Sequence, residues 1–566
     1  MKKQSIKVLA LIAVTGTLAT GCQLLKDVEY TATPNPLEMH GDSVRVKVDI
    51  TFPEKGIHKK AAAEITPMIG STNLTPIRVQ GEKATGNGDV IQYKAGGNVT
   101  YEDFVAYSPE MENTFLSITG KIYKGTKEKG EIEKIDIAPA TIITPYLVNK
   151  DFKVIIAKDE FRRVTEETFM AQINFDKGKS NVKSSETRQD DIKAYKAFLE
   201  NAQNDPKVAL KSINITGFAS PEGEEDKNNT LSADRAASGK AASVKIAKSA
   251  KNEIASGEAY NEKGSGEDYE GFTRELEMDS VMNEDDKNLV LRVLETINDP
   301  VEREKAMRDM GKTFNYLDKK VFPQLRRAEM VAVYDQTGFS DEELMALTVS
   351  NSDTLNLEEL LFAATLYSDL NEKMRVYKIA ETRFPNDYRT SNNVGAILYM
   401  QNKVAEAKAQ FEKANGVMDN PVSKNNLGAV AGVEGDRSKS MDLLNQAGSA
   451  GSEVSYNKGV LNIQDGDYAS AVSNLGSDAS FNKALAELLN GSASSVAGIV
   501  DGSADADTGQ GYYLKAVAAA RQDDLQGIVN NLKSAIAKDA SYKAKAGNDR
   551  EFYKYLENAS FTALTK

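Results

Sequence analysis

The stretch GFASPEGEEDKNNTLSADRA, residues 217–236, contains side chains whose types and spacing could bind a small charged ligand. It has the pattern of a strand end, a polar loop and a helix start, with Arg235 about one turn into the helix. A guanidinium gives a carboxylate two parallel hydrogen bonds, and a helix N-terminus attracts an anion. The layout is that of a site for a small zwitterion, although Ser220 stands where a carboxylate is expected.

Strands and helices on both sides of this stretch are expected to position the site. Strands are predicted in INFDKGKSNV, KSINITGFA and AEMVAVY, the second because its isoleucines alternate with polar residues. One helix is predicted between the first two strands. Another follows the polar loop, with Thr230 or Ser232 as its N-cap. This order of elements predicts an α/β domain over residues 161–336.

The stretch carries seven residues at the spacing of the OmpA-like domain, a peptidoglycan-binding α/β sandwich of bacterial envelopes, which this region resembles. They are Gly217, Gly223, Asn228, Leu231, Ser232, Arg235 and Ala236. The resemblance implies that the arginine binds the carboxylate of diaminopimelate in the peptide stem. It also places Ser220 at the position of the family's aspartate, which is associated with the ammonium group of the same diaminopimelate.

The serine at position 220 decides how strongly such a loop could bind. A hydroxyl carries no charge, and hydrogen bonds to charged groups contribute about 1.5–3 kcal/mol, so affinity should fall by roughly one to two decades. Glu222, Glu224 or Glu225 could partly replace the missing carboxylate. Three interpretations stay open: weakened peptidoglycan contact, no ligand with Arg235 bracing the loop, and a different small ligand.

An insertion over about residues 250–325 follows the second predicted helix. It begins with the polar stretch SGEAYNEKGSGEDYEG, which we expect to be a linker, and continues with two helices around 285–297 and 300–317. Its acidic residues are typical of a solvated face, and docking of a partner protein is the alternative.

The first 21 residues resemble the signal peptide of a bacterial lipoprotein. Lys2 and Lys3 precede a short apolar run, and LATGC ends at Cys22, the single cysteine of the chain. The resemblance implies cleavage after Gly21 and acylation of Cys22. Because each buried methylene contributes about 0.8 kcal/mol, two or more acyl chains would hold the protein on a membrane. The expected location is the outer membrane, on the periplasmic face rather than the cell surface.

The N-terminal part of the mature chain is predicted to be a β-sandwich over residues 22–160. The run VRVKVDI alternates apolar and polar residues, and turn signals recur at short intervals. His40 and His58 are expected to be ordinary surface residues and not metal ligands. A formal net charge of −13 over 566 residues gives no indication of nucleic-acid binding, which would call for a basic face.

Residues 350–566 are predicted to form a helical solenoid that resembles tetratricopeptide repeats. Small and aromatic residues recur there at one period and would let paired helices approach closely. The positions expected to pack in this way are Gly395, Ala407, Phe411, Ala414, Gly428, Gly459 and Ala471. Stacked helix pairs curve into a groove that usually binds a peptide or a partner's helix, and a rigid spacer is the alternative.

Catalytic patterns are missing from the sequence, which has no GxSxG, P-loop or HExxH motif. A DTG triplet starts at Asp507, but an aspartic protease needs two facing carboxylates. A calcium loop counted from Asp505 would need a glutamate where Ala516 stands. We therefore expect no enzymatic activity, no cofactor and no metal.

These features together predict a non-enzymatic, lipid-anchored scaffold in the envelope of a Gram-negative bacterium. It would bind envelope proteins through the tetratricopeptide groove and contact peptidoglycan through the OmpA-like loop. Two alternatives are a dedicated peptidoglycan tether and a surface adhesin-type subunit that works through the β-sandwich.

Overall fold

The structure is a computed structural model that describes residues 14–15, 24–256, 258–477 and 479–566. The predicted signal peptide, apart from residues 14–15, and the lipidation site Cys22 lie outside the described residues. The chain forms two compact units. Unit 1 combines the part before residue 159 with the part after residue 366, and unit 2 spans Asp159–Leu366. In the described part of the chain, no helix has the length and apolar character that crossing a bilayer requires.

The N-terminal part of unit 1 consists of two sheets. In the first, β4 pairs with β2, β3 and β9, and β2 pairs with β1; the strands are β1 (Val14–Thr15), β2 (Glu29–Thr33), β3 (Met39–His40), β4 (Ser43–Phe52) and β9 (Gly97–Ala106). The second has the order β11-β10-β5-β7-β8 with β6 beside β5; its strands are β5 (Ala61–Ile69), β6 (Thr72–Asn73), β7 (Ile77–Gly81), β8 (Asp89–Ile91), β10 (Thr114–Lys124) and β11 (Lys127–Ala140).

The two sheets bury one hydrophobic core. Alternate residues of β4 point into it, and Val44, Val46 and Val48 are fully buried. They belong to the same apolar cluster as Ile65 of β5 and Leu116 of β10. Because successive strand residues face opposite sides, the alternation in VRVKVDI produces this one-sided burial. The prediction that the N-terminal region consists of sheets is confirmed.

Unit 2 is built on a four-stranded sheet with the order β12-β15-β13-β14. Its strands are β12 (Val164–Asn174), β13 (Val208–Ala219), β14 (Tyr260–Glu267) and β15 (Arg327–Thr337). Its helices are α1 (Asp190–Asn204), α2 (Glu225–Ser249), α3 (Tyr269–Met278), α4 (Glu284–Thr296), α5 (Pro300–Asp309), α6 (Lys312–Tyr316), α7 (Phe322–Leu325), α8 (Asp341–Ser350) and α9 (Leu357–Thr365). Helices α1 and α2 pack on the sheet through a core that includes Tyr195, Ile215 and Ala236.

The stretch SGEAYNEKGSGEDYEG, which the sequence suggested to be a linker, contains strand β14. This strand pairs in parallel with β13, and Gly264 stands opposite Gly217. It has no apolar alternation because it lies at the edge of the sheet, where most of its side chains are exposed. A second difference concerns α2, which begins at Glu225, so that Thr230 and Ser232 lie inside the helix instead of capping it.

The C-terminal part of unit 1 is all-helical, as predicted. Its helices are α10 (Leu370–Arg383), α11 (Tyr388–Met400), α12 (Val404–Val417), α13 (Pro421–Glu434), α14 (Arg437–Ala447), α15 (Ser452–Asp465), α16 (Tyr468–Leu475), α17 (Phe481–Leu489), α18 (Val496–Asp501), α19 (Gly509–Arg521), α20 (Leu525–Lys538), α21 (Ser541–Asn548) and α22 (Ala559–Thr565). Neighbouring helices pack in sequence, with α11 on α12, α13 on α14 and α15 on α16.

The glycines singled out by the repeat pattern lie where the paired helices touch. A Cβ atom at Gly395 would come within 2.7 Å of the Phe411 ring, and one at Gly459 within 2.5 Å of the Leu475 side chain. At Gly428 the distance to Leu444 would be 3.0 Å. The remaining pattern positions, Ala407, Ala414 and Ala471, are fully buried.

A half-buried carboxyl near the C-terminus should make the stability of unit 1 depend on pH. Asp549 accepts hydrogen bonds from the Tyr513 hydroxyl and from the backbone N–H of Glu551. Burial, and after it the charge of Glu551, raises the pKa of Asp549 to about 6. The unfolded chain releases this proton near pH 4, so the free energy of unfolding should fall by about 1–3 kcal/mol between pH 4 and pH 6.

Urea denaturation of the wild-type protein and of the Asp549→Asn variant at pH 4, 5, 6 and 7 checks this. The variant cannot titrate at this position, so its stability should decline less steeply over the same range. Parallel pH profiles for the two proteins would show that Asp549 does not titrate near pH 6.

Candidate functional site

The predicted ligand loop of unit 2 depends on glycines that let α2 lie directly on the sheet. A Cβ atom at Gly217 would come within 2.0 Å of the carbonyl oxygen of Ser232, and one at Gly264 within 2.6 Å of the backbone nitrogen of Ala233. Real Cβ atoms never approach backbone atoms this closely. The glycine at position 217 therefore sets the distance between helix and strand, and it is not itself exposed to a ligand.

The arginine of the loop, Arg235, is almost completely buried, with 1% of its surface exposed. Its guanidinium donates to three backbone carbonyls: Nε to Lys179 (3.1 Å), Nη1 to Phe218 (2.8 Å) and Nη2 to Asp176 (3.3 Å). A guanidinium has five N–H donors, so two of them have no acceptor among the described residues. Burial, and after it the charge of Arg326, lowers the pKa of Arg235 to about 10, which leaves the side chain cationic at neutral pH.

The serine at position 220 belongs to a buried charge network. Its hydroxyl donates to Oε1 of Glu222 at 2.9 Å, and the same oxygen accepts from Nε of Arg326 at 3.0 Å. Only 5% of the Glu222 side chain and 8% of the Arg326 side chain are exposed. A carboxylate thus lies beside Ser220, but its counterion is an arginine of the same chain, which immediately precedes β15.

Residues from the insertion complete this network. Oδ1 of Asp318 accepts from Nη2 of Arg326 and from Nζ of Lys177, both at 2.9 Å. Burial raises the pKa of the Glu222 carboxyl. Burial acts in the same direction on Asp318, but its hydrogen bonds with Lys177 and Arg326 prevail and lower the pKa of Asp318 to about 2. The cluster therefore has a carboxylate pair balanced by Arg326 and Lys177, and Arg235 remains without a carboxylate partner among the described residues.

The other motif residues hold the loop in place. Asn228 donates through Nδ2 to Oε1 of Glu267 at 2.7 Å and to the carbonyl of Ser220 at 3.3 Å. Ser232 accepts from the backbone N–H of Gly266 at 2.9 Å and so connects α2 to β14. Gly223 has a φ of +131°, a conformation that favours glycine.

A pocket of about 680 Å³ opens beside this loop. Its wall includes Ser220, Glu222, Gly223, Asn228 and Arg235, and its rim includes Lys177, Glu224, Lys227, Thr230 and Asp234. The structure therefore brings four of the five predicted ligand residues to one pocket, and Gly217 serves helix packing instead. The guanidinium, which forms no ion pair among the described residues, suits a carboxylate ligand, whereas the buried carboxylate of Glu222 is already paired.

A second feature, in unit 1, was not predicted. Residues 148–157, named here the strap, run in an extended conformation along the first helices of successive helix pairs. Four buried asparagines, named here the Asn row, bind the strap's backbone: Asn393 in α11, Asn426 in α13, Asn457 in α15 and Asn482 in α17. The first helices of four successive pairs thus bind this chain's own backbone.

Each asparagine of the row binds both backbone groups of one residue. Asn426 accepts from the N–H of Ile155 at 2.7 Å and donates to its carbonyl at 2.8 Å. Asn457 binds Lys153 in the same way, at 2.7 and 2.8 Å. The remaining two pairs repeat this geometry, Asn393 with Ala157 and Asn482 with Asn149. Because the partners at positions 153, 155 and 157 are alternate residues, the row matches the two-residue repeat of an extended chain.

The sequence contains a signal for this row. Asn393, Asn426 and Asn457 are 33 and 31 residues apart, the same intervals that separate the packing glycines. An amide side chain offers one acceptor and two donors, so a buried asparagine recurring with the repeat indicates a bond to backbone. The strap itself, VNKDFKVIIA, ends in a short apolar run like that of many strands, and its partner helices lie more than 230 residues away.

The sequence elements that suggested catalysis or metal binding have ordinary roles. Asp507 of the DTG triplet pairs with Lys538 at 2.7 Å and accepts from the Tyr512 hydroxyl. His40 packs edge-on against Tyr468 with ring centroids 5.0 Å apart. Among the described residues, no group of three or more His, Cys, Asp or Glu side chains is arranged to hold a metal ion.

Comparison with known proteins gives distant matches among solved structures. No family model and no curated protein matches this chain. Among solved structures, the APC/C hetero-tetramer Cut9–Hcn1 is 12% identical with a TM-score of 0.31, over 39% of this chain and 46% of that one. A tetratricopeptide repeat protein from Parabacteroides merdae is 13% identical with a TM-score of 0.27, over 39% of this chain and 90% of that one.

A third match is YrrB, described as a TPR protein with an unusual peptide-binding site. It is 17% identical with a TM-score of 0.21, over 36% of this chain and 94% of that one. The chain spans less than half of the Cut9–Hcn1 chain that it matches. With TM-scores of this size, these likenesses carry no argument about fold or function.

Proposed function

We propose that this protein is a non-enzymatic scaffold, lipid-anchored through Cys22 at the periplasmic face of the outer membrane, that contacts the cell wall through the pocket of unit 2. The observation that carries the proposal is the Arg235 guanidinium, which borders the pocket, is cationic, and has no carboxylate partner among the described residues. A buried cation of this kind favours an anionic ligand group, such as the carboxylate of a peptidoglycan stem peptide.

The charge network beside Ser220 supports a weak wall contact. The family's aspartate is missing, and the nearest carboxylate, Glu222, is hydrogen-bonded to Arg326. A zwitterionic ligand would therefore find Arg235 for its carboxylate, while its ammonium group would have only exposed rim carboxylates such as Glu224 and Asp234 among the described residues. This corresponds to the weakened contact that the sequence left open, and it favours a scaffold over a dedicated peptidoglycan tether.

Protein partners form the second part of the proposal. Stacked helix pairs expose broad faces besides the one that the strap covers, and we place envelope-protein binding on those faces. The strap joins the helices to the two sheets within one compact unit, so partners held by the helices would be fixed relative to the N-terminal anchor.

Retention on purified sacculi tests the wall contact. Thr230 lies at the rim of the pocket, exposed on α2. A Thr230→Trp substitution should fill the opening and reduce the retained fraction at least tenfold, because the ligand loses access to Arg235. Arg235→Ala is less suitable, since three backbone carbonyls would lose their donor and the loop itself would change.

The matched control is Ser249→Trp, an equally exposed, uncharged substitution at the other end of the same helix. It should leave retention at the wild-type level. Equal retention of the Thr230→Trp protein, or no retention of the wild type, would contradict wall contact through this pocket. The lipid anchor is tested separately, by fractionating cells that express the protein. There, Cys22→Ala should move the protein from the membrane fraction to the soluble fraction.

A further inference from the structure

The strap is held by contacts of two kinds. All four asparagines of the Asn row bind backbone atoms of the strap, and these bonds would form with any extended peptide. Three strap residues, in contrast, make contacts that depend on the side chain: the exposed Asp151, which is hydrogen-bonded, and the buried Phe152 and Ala157.

The acidic side chain of the strap, Asp151, is bound by hydrogen bonds from two helical residues. The hydroxyl of Tyr456 donates to both carboxylate oxygens of Asp151, at 2.7 and 2.9 Å, and Nδ2 of Asn482 lies 3.1 Å from one of them. A hydroxyl and an amide that converge on one carboxylate select an acidic or amide side chain over an apolar one.

The aromatic side chain of the strap, Phe152, packs against a glycine of α13. Phe152 is 3% exposed and belongs to the apolar core of the helical region. A Cβ atom at Gly432 of α13 would come within 2.6 Å of its ring, so only glycine leaves room for the phenyl group. The hydroxyl of Tyr399 donates to the carbonyl of the same Phe152 at 2.9 Å, which fixes its register.

The last position admits only a small residue. Ala157 is 4% exposed, and Asn393 binds both of its backbone groups. Because interiors are close-packed, a larger side chain buried to this extent would displace the atoms around it. The three positions together define an acidic–aromatic pair followed, five residues after the aromatic, by a small residue.

We propose that the Asn row is a peptide-binding site that this chain fills with residues 148–157 as an intramolecular ligand. The site takes an extended peptide with an acidic–aromatic pair, and such a peptide binds in trans only in competition with the strap. A tethered segment acts at an effective concentration of about millimolar, so the wild-type site is closed to weak ligands. The inference does not depend on contact with the cell wall.

A labelled synthetic peptide with the sequence of residues 147–158 tests the site. The receptor is the full chain with Asp151→Ala and Phe152→Ala. These substitutions weaken binding of the strap to the helices and change no residue of the helices themselves. Fluorescence anisotropy should show that this variant binds the peptide at least tenfold more tightly than the wild-type protein does. A control peptide with alanine at the same two positions should bind at least tenfold more weakly than the native peptide.

Thermal unfolding gives a second measurement of peptide binding, which remains usable if weakening the strap destabilises the receptor. A ligand that binds the folded state stabilises it, so excess native peptide should raise the Tm of the variant by several degrees and leave the wild type unchanged. Adding Asn426→Ala to the variant should remove most of this rise. Equal binding of the two peptides, or neither a gain in affinity over wild type nor a rise in Tm, would overturn the proposal.

Discussion

Replacing Asn426 with alanine should lower the free energy of unfolding of unit 1 by about 2–4 kcal/mol, because buried polar groups would lose their partners. The side chain accepts from the N–H and donates to the carbonyl of Ile155. It also accepts from Nδ2 of Asn425 at 3.1 Å and donates to Oδ1 of Asn392 at 2.9 Å, so its loss affects two neighbouring amides as well. Urea denaturation followed by far-UV circular dichroism measures the change.

The control for this prediction is Asn530→Ala, on the exposed face of α20. That substitution should change stability by less than about 0.5 kcal/mol, the usual range for surface positions. If Asn426→Ala behaved like Asn530→Ala, the strap would contribute nothing to the fold of unit 1 and its bonds to the Asn row would be incidental. Limited proteolysis gives a second reading, since release of the strap should expose a cleavage site between residues 148 and 157.

The sequence predicted those parts of the fold in which a residue and its partner are close along the chain. The alternation in β4 and the recurring glycines at positions 395, 428 and 459 report local burial, and the structure places them in a sheet core and at helix contacts. Strand β14 was missed because an edge strand with exposed side chains carries no apolar period. The strap was missed because its partners, the asparagines, are far away in the sequence.

The candidate site was likewise predicted only where its residues are close along the chain. The spacing from Gly217 to Arg235 predicted a strand, a loop and a helix that carries the arginine, and the structure has these elements in that order. This order was predictable because the three elements form one continuous segment. The pairing of Glu222 with Arg326 could not be foreseen, because these residues are 104 positions apart and the intervening insertion follows no pattern that fixes its course. A motif therefore indicates where a loop lies, whereas the charges that reach the loop from elsewhere decide what it could bind.

Replacing Arg326 with methionine should destabilise unit 2 by about 3–5 kcal/mol, the range for breaking a buried ion pair on one side. Methionine keeps much of the volume of the arginine stem but leaves Glu222 facing an apolar neighbour. The partly exposed ammonium group of Lys177, 3.1 Å from Oε2 of Glu222, then remains as an ion-pair partner of that carboxylate. Chemical denaturation at pH 7 measures the loss.

The pH dependence and a second substitution separate the ion pair from the packing of the stem. Burial already raises the pKa of Glu222, and loss of Arg326 should raise it further. An acid with a raised pKa in the folded state stabilises it at low pH and loses that contribution as pH rises, so the deficit of Arg326→Met should shrink from pH 7 to pH 5. Adding Glu222→Gln should recover about 2–3 kcal/mol at pH 7, because the double variant no longer buries an unpaired charge. If Arg326→Met and Glu222→Gln each destabilised the protein, their losses added in the double variant and neither loss depended on pH, Glu222 would not be held by Arg326. The carboxylate beside Ser220 would then be available to the ammonium group of a ligand.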